Sequence, residues 1–278
     1  MSDQNAAESS IRATPRAQIV ASRTQRTSIL DDPRVLGWGS VGLVLILWEL
    51  IAILTNVNQL YLPRPTQIVI ALFDMFANGG LAADLAATLA RVFGGFLIAL
   101  LVGVALGIWI AAFDRVRAVA DMFIAALYPL PKVTLIPLLI IWLGTGGPFM
   151  LTISALGAIF PIVINTVLGV RQCDPGLLLA ARDLGATQRQ LMRLVLLPSA
   201  IPSIFAGARL GLGVSIILVV AAEMVVGKVG LGARLYLAGQ VLETGQVFAV
   251  LIVLAALGIV VTKIQDRIDV QLSRYRVA

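Results

Sequence analysis

The sequence has no histidine and only one cysteine, Cys173. Without imidazole, the chain lacks the commonest metal ligand, the commonest catalytic base and the side chain that titrates near neutral pH. A single cysteine forms no internal disulfide. The 15 Asp and Glu residues are scattered, without the clustering that a metal or catalytic site requires. We therefore predict that the chain is not an enzyme and that it binds no metal and no cofactor itself.

Charged residues are also scarce, at 13% of 278 residues, whereas hydrophobic residues make up 59%. Soluble domains carry about 25% charged and about 45–50% apolar residues. The apolar residues form runs close to the roughly 20 residues that cross a hydrocarbon layer, where helices satisfy their own backbone groups. The sequence therefore predicts an all-α polytopic membrane helix bundle of about six transmembrane helices. The predicted spans are Leu36–Leu54, Val92–Phe113, Ala118–Leu143, Phe149–Val170, Ile201–Val226 and Val247–Val261.

These runs divide the chain into three parts. Residues 1–33 are polar and lack a helical apolar stripe, so we expect a disordered tail. Residues 34–264 form the transmembrane domain, with a long loop at residues 171–200, and residues 265–278 form a C-terminal tail. Most of the 21 Lys and Arg residues fall on one side if both tails are cytoplasmic. The predicted location is therefore the inner membrane of a bacterium, with both termini inside.

Prolines interrupt this pattern in two places. Pro129, Pro131 and Pro137 lie within the third span, where they break the helical backbone. The segment Leu62-Pro63-Arg64-Pro65 is extended, because each proline restrains the residue before it. We expect one helix to follow that segment and to end in the residues Leu85–Ala90.

The loop at residues 171–200 begins with the signals of a short helix. Asp174 is a good N-cap, and Pro175 suits the first helical position. Gly185 can end the helix in a left-handed conformation. The sequence therefore predicts a first loop helix between Asp174 and Gly185.

A second short helix is expected directly after Gly185. Thr187 and Gln190 have the spacing of a capping box, and Pro198 should end this helix. Such a helix pair is open to several interpretations. It could be a simple connector, a basic amphipathic element resting on anionic lipid, or, with less support, a helix-turn-helix DNA reader.

The same loop carries a gapped motif. In order, it has Ala180-Ala181, Gly185, Val195 and Leu197-Pro198. This spacing resembles the loop motif of ABC importer permeases, which reads Glu-Ala-Ala, three residues, Gly, nine residues, Ile, one residue, Leu-Pro. Leu179 stands where that motif has its glutamate, so the pair that the glutamate would make with the ATPase is missing. Arg182, Asp183, Arg189 or shape fit would then carry the docking.

Further segments resemble the nitrate, sulfonate and taurine branch of these permeases. They are Leu62–Pro65, Arg91–Ala99, Tyr128–Leu138, Ile141–Gly144, Gly207–Gly213, Ala222–Met224 and Gly230–Gly232. The resemblance covers most of residues 55–264. It implies a type I importer permease fold and a translocation path for a small anion, with an organosulfonate or taurine first and nitrate or bicarbonate next.

The resemblance also implies partners. They are two ABC ATPase subunits, a second permease (an identical copy in the simplest case), an external solute-binding protein and membrane lipid, without nucleic acid. The chain has no phosphate-binding loop, since Gly227-Lys228 lacks the earlier Gly and the following Ser or Thr. Mg-ATP would therefore be used by the separate ATPase. The expected coupling residues are Leu179, Ala180, Ala181, Arg182, Asp183, Gly185, Ala186, Arg189, Leu197 and Pro198.

Four charged residues lie inside predicted spans and are candidates for the translocation path: Glu49, Lys132, Arg209 and Glu223. Charges within a membrane are costly and usually face a cavity or a partner. Each could equally form an interhelical ion pair, contact another subunit or reach the membrane surface. Lys132 or Arg209 would suit an anion. A secondary transporter that works without an ATPase is the alternative function, but the chain shows no internal repeat that would support it.

Overall fold

The computed structural model of the protein describes residues 33–55 and 58–272, and every regular element within them is helical. The all-α prediction is confirmed. The predicted disordered tail lies outside the described residues except for Pro33. Residues 273–278 of the predicted C-terminal tail also lie outside them.

Ten helices account for the described chain, and we number them in chain order. They are α1 (Pro33–Leu54), α2 (Pro65–Ala77), α3 (Leu81–Ala112), α4 (Asp114–Leu127), α5 (Ile136–Leu143), α6 (Gly147–Arg171), α7 (Pro175–Asp183), α8 (Gln188–Val226), α9 (Leu231–Gln240) and α10 (Thr244–Leu272). A 3-10 turn at Lys132–Leu135 precedes α5.

Four of these helices, α3, α6, α8 and α10, are long and apolar enough to cross a membrane. The third predicted span is instead split between α4 and α5, which are bent by 88° to each other. Its three prolines explain the break, because proline removes a backbone donor and clashes with the preceding turn. If the bent pair counts as one span there are five, and α1 with its apolar stretch Gly39–Leu54 would be the sixth.

Helix α1 is separate from the unit that begins at Thr55. Along much of its length it exposes large aliphatic side chains, including Leu43, Val44 and Ile46. A helix that exposes apolar side chains around its surface is suited to a lipid environment.

Within the second unit, α3 and α6 run parallel and pack closely through small residues. A Cβ added to Gly95 would meet Ser154, and one added to Gly107 would meet Thr166. A similar addition at Gly103 would meet Ile162. Small residues allow membrane helices to approach each other this closely. These glycines recur at helical spacing along α3, so they line the face of α3 that meets α6.

Helix α8 packs antiparallel on α6 in the same manner. A Cβ on Gly211 would meet Ala158, and one on Gly207 would meet the backbone of Pro161. Helices α3, α6, α8 and α10 together bury the main apolar cluster of the second unit, which includes Val92, Ile162 and Val219. Helices α3, α6 and α8 thus form the centre of the second unit, and α10 packs against it.

The segment between α1 and the second predicted span differs from the expectation. Helix α2 ends at Ala77, and Leu85–Ala90 belong to α3 instead. The chain turns at Gly80, whose φ of 72° is left-handed and favours glycine. The prediction of one helix ending at Ala90 is therefore wrong, and α3 begins 11 residues before the predicted start at Val92 because the Gly79-Gly80 pair ends one helix and starts the next.

Candidate functional site

The loop between α6 and α8 forms its first helix where the sequence predicts it. Asp174 caps α7, and its carboxylate accepts a hydrogen bond from the backbone N–H of Gly176 at 2.7 Å. Pro175 occupies the first helical position. The prediction of a capped helix between Asp174 and Gly185 is confirmed.

Gly185 has a φ of 82° and turns the chain away from α7. The backbone N–H of Ala186 donates to the carbonyl of Ala181 at 3.0 Å, which closes the end of the helix. A residue with a Cβ would be strained in this conformation. The turn that separates the two loop helices therefore depends on glycine.

The second loop helix starts as predicted, because the N–H of Thr187 donates to the side chain of Gln190 at 2.8 Å in a capping box. It does not end at Pro198, and that prediction is wrong. Instead α8 continues through a π-helical segment, Leu191–Leu196, and runs without interruption to Val226. A local π segment accommodates a proline in two ways. The wider turn leaves room for the ring of Pro198, and the shifted hydrogen-bond pattern gives another donor to the carbonyl that proline cannot bond. The loop is therefore joined directly to the membrane-spanning part of α8.

The loop presents apolar side chains outside the bundle. Leu184 is 89% exposed and Leu179 is 59% exposed. Around them, Ala180, Arg182, Asp183, Gly185 and Arg189 are exposed, whereas Ala181, Ala186, Leu197 and Pro198 are half-buried. At the base, Cys173 and Leu191 are buried and hold the loop against the bundle. Exposed leucines on a capped helix beyond the ends of the spans are typical of a protein-binding surface.

Lys132 lies at the corner between α4 and α5. Its Nζ donates to the carbonyl of Tyr128 at 2.9 Å and lies 5.3 Å from the ring centroids of both Tyr128 and Phe160. The side chain is half-buried. The broken backbone thus places a cation next to two aromatic faces, which stabilise it, and no carboxylate among the described residues pairs with it.

Arg209 and Glu49 occupy different places. Arg209 on α8 donates through Nη2 to Asp266 on α10 at 2.6 Å. Arg209 therefore forms an interhelical ion pair, which was one of the alternatives to a role in the translocation path. Glu49 lies half-buried on α1.

Glu223 is fully buried near the end of α8, at the side of the bundle opposite the loop. Its carboxylate accepts hydrogen bonds from Thr88 at 2.9 Å, from Arg91 at 2.5 Å and from the backbone N–H of Gly232 at 3.0 Å. A Cβ on Gly230 or Gly232 would collide with Glu223 or its helix. The carboxylate is therefore enclosed on all these sides and forms part of a fixed polar cluster.

A second buried carboxylate extends this cluster, which sequence reasoning missed. Asp84 accepts from the Nε of Arg234 at 2.8 Å and from the backbone N–H of Gly230 at 2.8 Å. The available signal was the spacing of Asp84, Thr88 and Arg91, which places three polar side chains on one face of α3. The cluster ties α3, α8 and α9 together.

The three predicted path residues of the second unit have different partners. Lys132 is at the α4–α5 corner, Arg209 is between α8 and α10, and Glu223 is in the buried cluster. The predicted coupling residues, by contrast, all lie in the loop and at the start of α8.

Comparison with known proteins places this architecture among transport proteins. The family described as binding-protein-dependent transport system inner membrane component matches residues 103–274. A putative ABC transporter permease of Methanocaldococcus jannaschii is 35% identical over 80% of this chain and 84% of its own length. The taurine transport system permease TauC of Escherichia coli is 32% identical, covering 79% of this chain and 82% of its own. A putative aliphatic sulfonates transport permease SsuC of Bacillus subtilis is 33% identical over 77% of this chain and 78% of its own.

Solved structures show the same fold. An inward-facing structure of the MetNI methionine ABC transporter has a chain that matches with a TM-score of 0.61 and 22% identity, covering 69% of this chain and 95% of that one. A chain of an amino acid ABC transporter crystallised with histidines matches with a TM-score of 0.53 and 23% identity, covering 74% of this chain and 98% of the other. Both likenesses concern the fold.

Proposed function

Because the chain belongs to the family of binding-protein-dependent transport system inner membrane components, we propose that it is the permease of an ABC importer and conducts a small anion. Transport would be driven by an ATPase that binds α7. The observation that carries the proposal is the capped helix α7 with Leu184, 89% exposed, beyond the end of the bundle. A motor protein needs a firm projection of this kind to move the spans.

The continuity of α8 supports this role for the loop. Because Gln188–Val226 is one helix, a force on the loop acts directly on a span that packs along α6. The coupling would be a two-state rearrangement of the bundle, biased by ATP and by the loaded binding protein. Leu179, in place of the motif glutamate, adds an apolar side chain to the docking face instead of a charge.

The proposed assembly has two ATPase subunits on the loop side, a second permease copy and a solute-binding protein at the opposite side. The loop side would face the cytoplasm, with both termini on it, because most of the cations lie there. Mg-ATP would be bound by the ATPase subunits. The secondary-transporter alternative gains no support, since it would leave α7 and its exposed leucines without a role.

The proposed solute is an organosulfonate such as taurine, or a smaller anion such as nitrate or bicarbonate. Two observations support an anion: the relatives at 32% and 33% identity are a taurine permease and a putative aliphatic sulfonates permease, and the half-buried cation Lys132 lies at a broken span. Irregular backbone at membrane depth is tolerated where it lines a cavity. Lys132 is therefore our preferred path residue, whereas Arg209 is held by Asp266.

Reconstitution tests the function as a whole. We expect uptake of a radiolabelled sulfonate into proteoliposomes only when the ATPase subunits, the binding protein and internal Mg-ATP are all present. The candidate solute is chosen as the ligand that the cognate binding protein retains on purification. Uptake by the permease alone would contradict the proposal and support the secondary transporter.

Replacing Lys132 by alanine should lower anion uptake by about tenfold, the equivalent of about 1.4 kcal/mol of attraction, because on our proposal the change removes a cation that faces the path. Assembly and basal ATPase activity should remain, since the polar and cation–π contacts of the Nζ among the described residues are limited to the carbonyl of Tyr128 and the rings of Tyr128 and Phe160. Uptake assays in the reconstituted complex measure the change. Lys263→Ala, an exposed cation near the end of α10, is the matched control. Equal uptake by both variants and the native chain would remove Lys132 from the path.

A further inference from the structure

A groove lies between α4 and α6 at the end of the bundle that carries the loop. It encloses about 290 Å3, and its lining includes Arg117, Asp121 and Ile124 from α4 with Ile164, Leu168 and Arg171 from α6. None of these residues belongs to the coupling surface or to the proposed path residues. The groove therefore has no role in the function described so far.

The lining is polar at one end and aliphatic at the other. Arg117 is in the first turn of α4, and Arg171 is the last residue of α6. Ile124 and Ile164 each lie seven positions farther into the span, which is two helical turns or about 10 Å. Arg117 and Arg171 thus lie at the membrane surface, and Asp121 lies one helical turn farther into the groove. Beyond Asp121 the lining is aliphatic and runs toward the membrane interior, as an acyl chain does.

Both arginines keep donors for a further anion. The Nε of Arg117 is buried 3.5 Å from the carboxylate of Asp121, its ion-pair partner, whereas the two terminal nitrogens of this guanidinium make no hydrogen bond within the described part of the chain. Among the described residues, Arg171 donates only through Nη1, to the exposed Asp114 at 2.8 Å. The side chains of Arg117 and Arg171 are 38% and 37% exposed, so a ligand at the membrane surface can reach them.

We propose that this groove binds an anionic phospholipid. Its phosphate accepts hydrogen bonds from Arg117 and Arg171, and the first carbons of one acyl chain lie along Ile124 and Ile164. Basic pockets between transmembrane helices at a membrane surface favour anionic headgroups, and charge-assisted bonds from arginine to phosphate are short and strong. A free phosphate would use the arginines alone, whereas the aliphatic half of the groove favours the lipid. This site depends on the chain lying in a membrane and is independent of which solute is carried.

Lipid titration of the purified full-length protein tests the site. Bound phosphatidylglycerol and phosphatidylcholine are counted by native mass spectrometry in mild detergent, for the native chain and for Arg117→Gln/Arg171→Gln. We expect a preference for phosphatidylglycerol that falls about fivefold for each arginine removed. Arg115→Gln is the matched control, because Arg115 is exposed on the same turn of α4 but does not line the groove. The doubly conservative Arg117→Lys/Arg171→Lys should keep much of the preference.

Three outcomes would overturn the proposal. One is equal binding of the two lipids by the native protein, which is informative even if the glutamine variant fails to fold. Another is an equal loss of phosphatidylglycerol in Arg115→Gln and in the double variant. The third is displacement of the lipid by millimolar inorganic phosphate, which would show a site for a free anion. None of these three outcomes bears on solute uptake or on its coupling to ATP. Failure of the lipid proposal is therefore distinguishable from failure of the proposed function.

Discussion

Glu223→Gln should lower the melting temperature of the purified protein on the order of 10 °C. The carboxylate is fully buried and accepts bonds from Thr88, Arg91 and the backbone of Gly232. Glutamine cannot accept at both positions, and it leaves the guanidinium of Arg91 without its counter-ion. Breaking a buried pair in this way costs about 3–5 kcal/mol, and the lower figure applies because Arg91 is 25% exposed. At about 2–4 °C for each kcal/mol in a chain of this size, the expected shift follows.

Thermal unfolding in detergent, followed by intrinsic fluorescence or circular dichroism, measures this change. Glu243→Gln is the control, because Glu243 is an exposed carboxylate of the same type, for which a surface substitution should cost less than about 0.5 kcal/mol. A double-mutant cycle with Arg91→Gln isolates the pair. If the double variant is no more stable than the sum of the two single changes predicts, Arg91 and Glu223 are not energetically coupled and our account of the cluster is wrong.

The sequence could not have paired these residues. Thr88 and Arg91 lie on α3, whereas Glu223 is near the end of α8, and only the packing of the two helices brings them together. A charge inside an apolar run predicts a partner or a cavity. The sequence does not distinguish a partner from a cavity, because a residue of an ion pair and a residue of the translocation path have the same local pattern. The site of Lys132 shows the same limit in the other direction: its prolines predict a broken span, but the 88° bend depends on tertiary contacts.

Sequence signals predicted the structure correctly where the interactions that decide it join residues close together in the chain. The N-cap Asp174, the left-handed Gly185 and the Thr187–Gln190 capping box are each decided within a few residues, and all three are confirmed. Pro198 is the exception in the same loop. Proline ends a helix only when nothing compensates for its missing donor, and here the preceding π segment does so. The sequence carries no recognisable sign of that compensation.

Replacing Leu184 by aspartate should abolish most ATP-driven uptake while the permease itself stays folded. Leu184 is 89% exposed and follows the end of α7, so its side chain loses little contact with the described part of the chain. On our proposal it inserts into the ATPase, where burying a charge in place of an apolar anchor costs at least about 2 kcal/mol. That corresponds to roughly a 30-fold loss of affinity between permease and ATPase. The melting temperature of the isolated permease should not change.

Co-purification of the ATPase subunits and uptake into proteoliposomes provide the two readouts for this variant. Leu184→Met is the matched control, because it keeps an apolar side chain of similar volume and should transport at close to the native rate. A second change, Leu179→Lys at a residue 59% exposed on the same helix, should add to the loss if both leucines face the ATPase. Native uptake by Leu184→Asp would show that the exposed end of α7 is not where the motor engages. Reduced uptake with normal ATPase binding would instead place the effect of Leu184 in force transmission through Gly185 into α8.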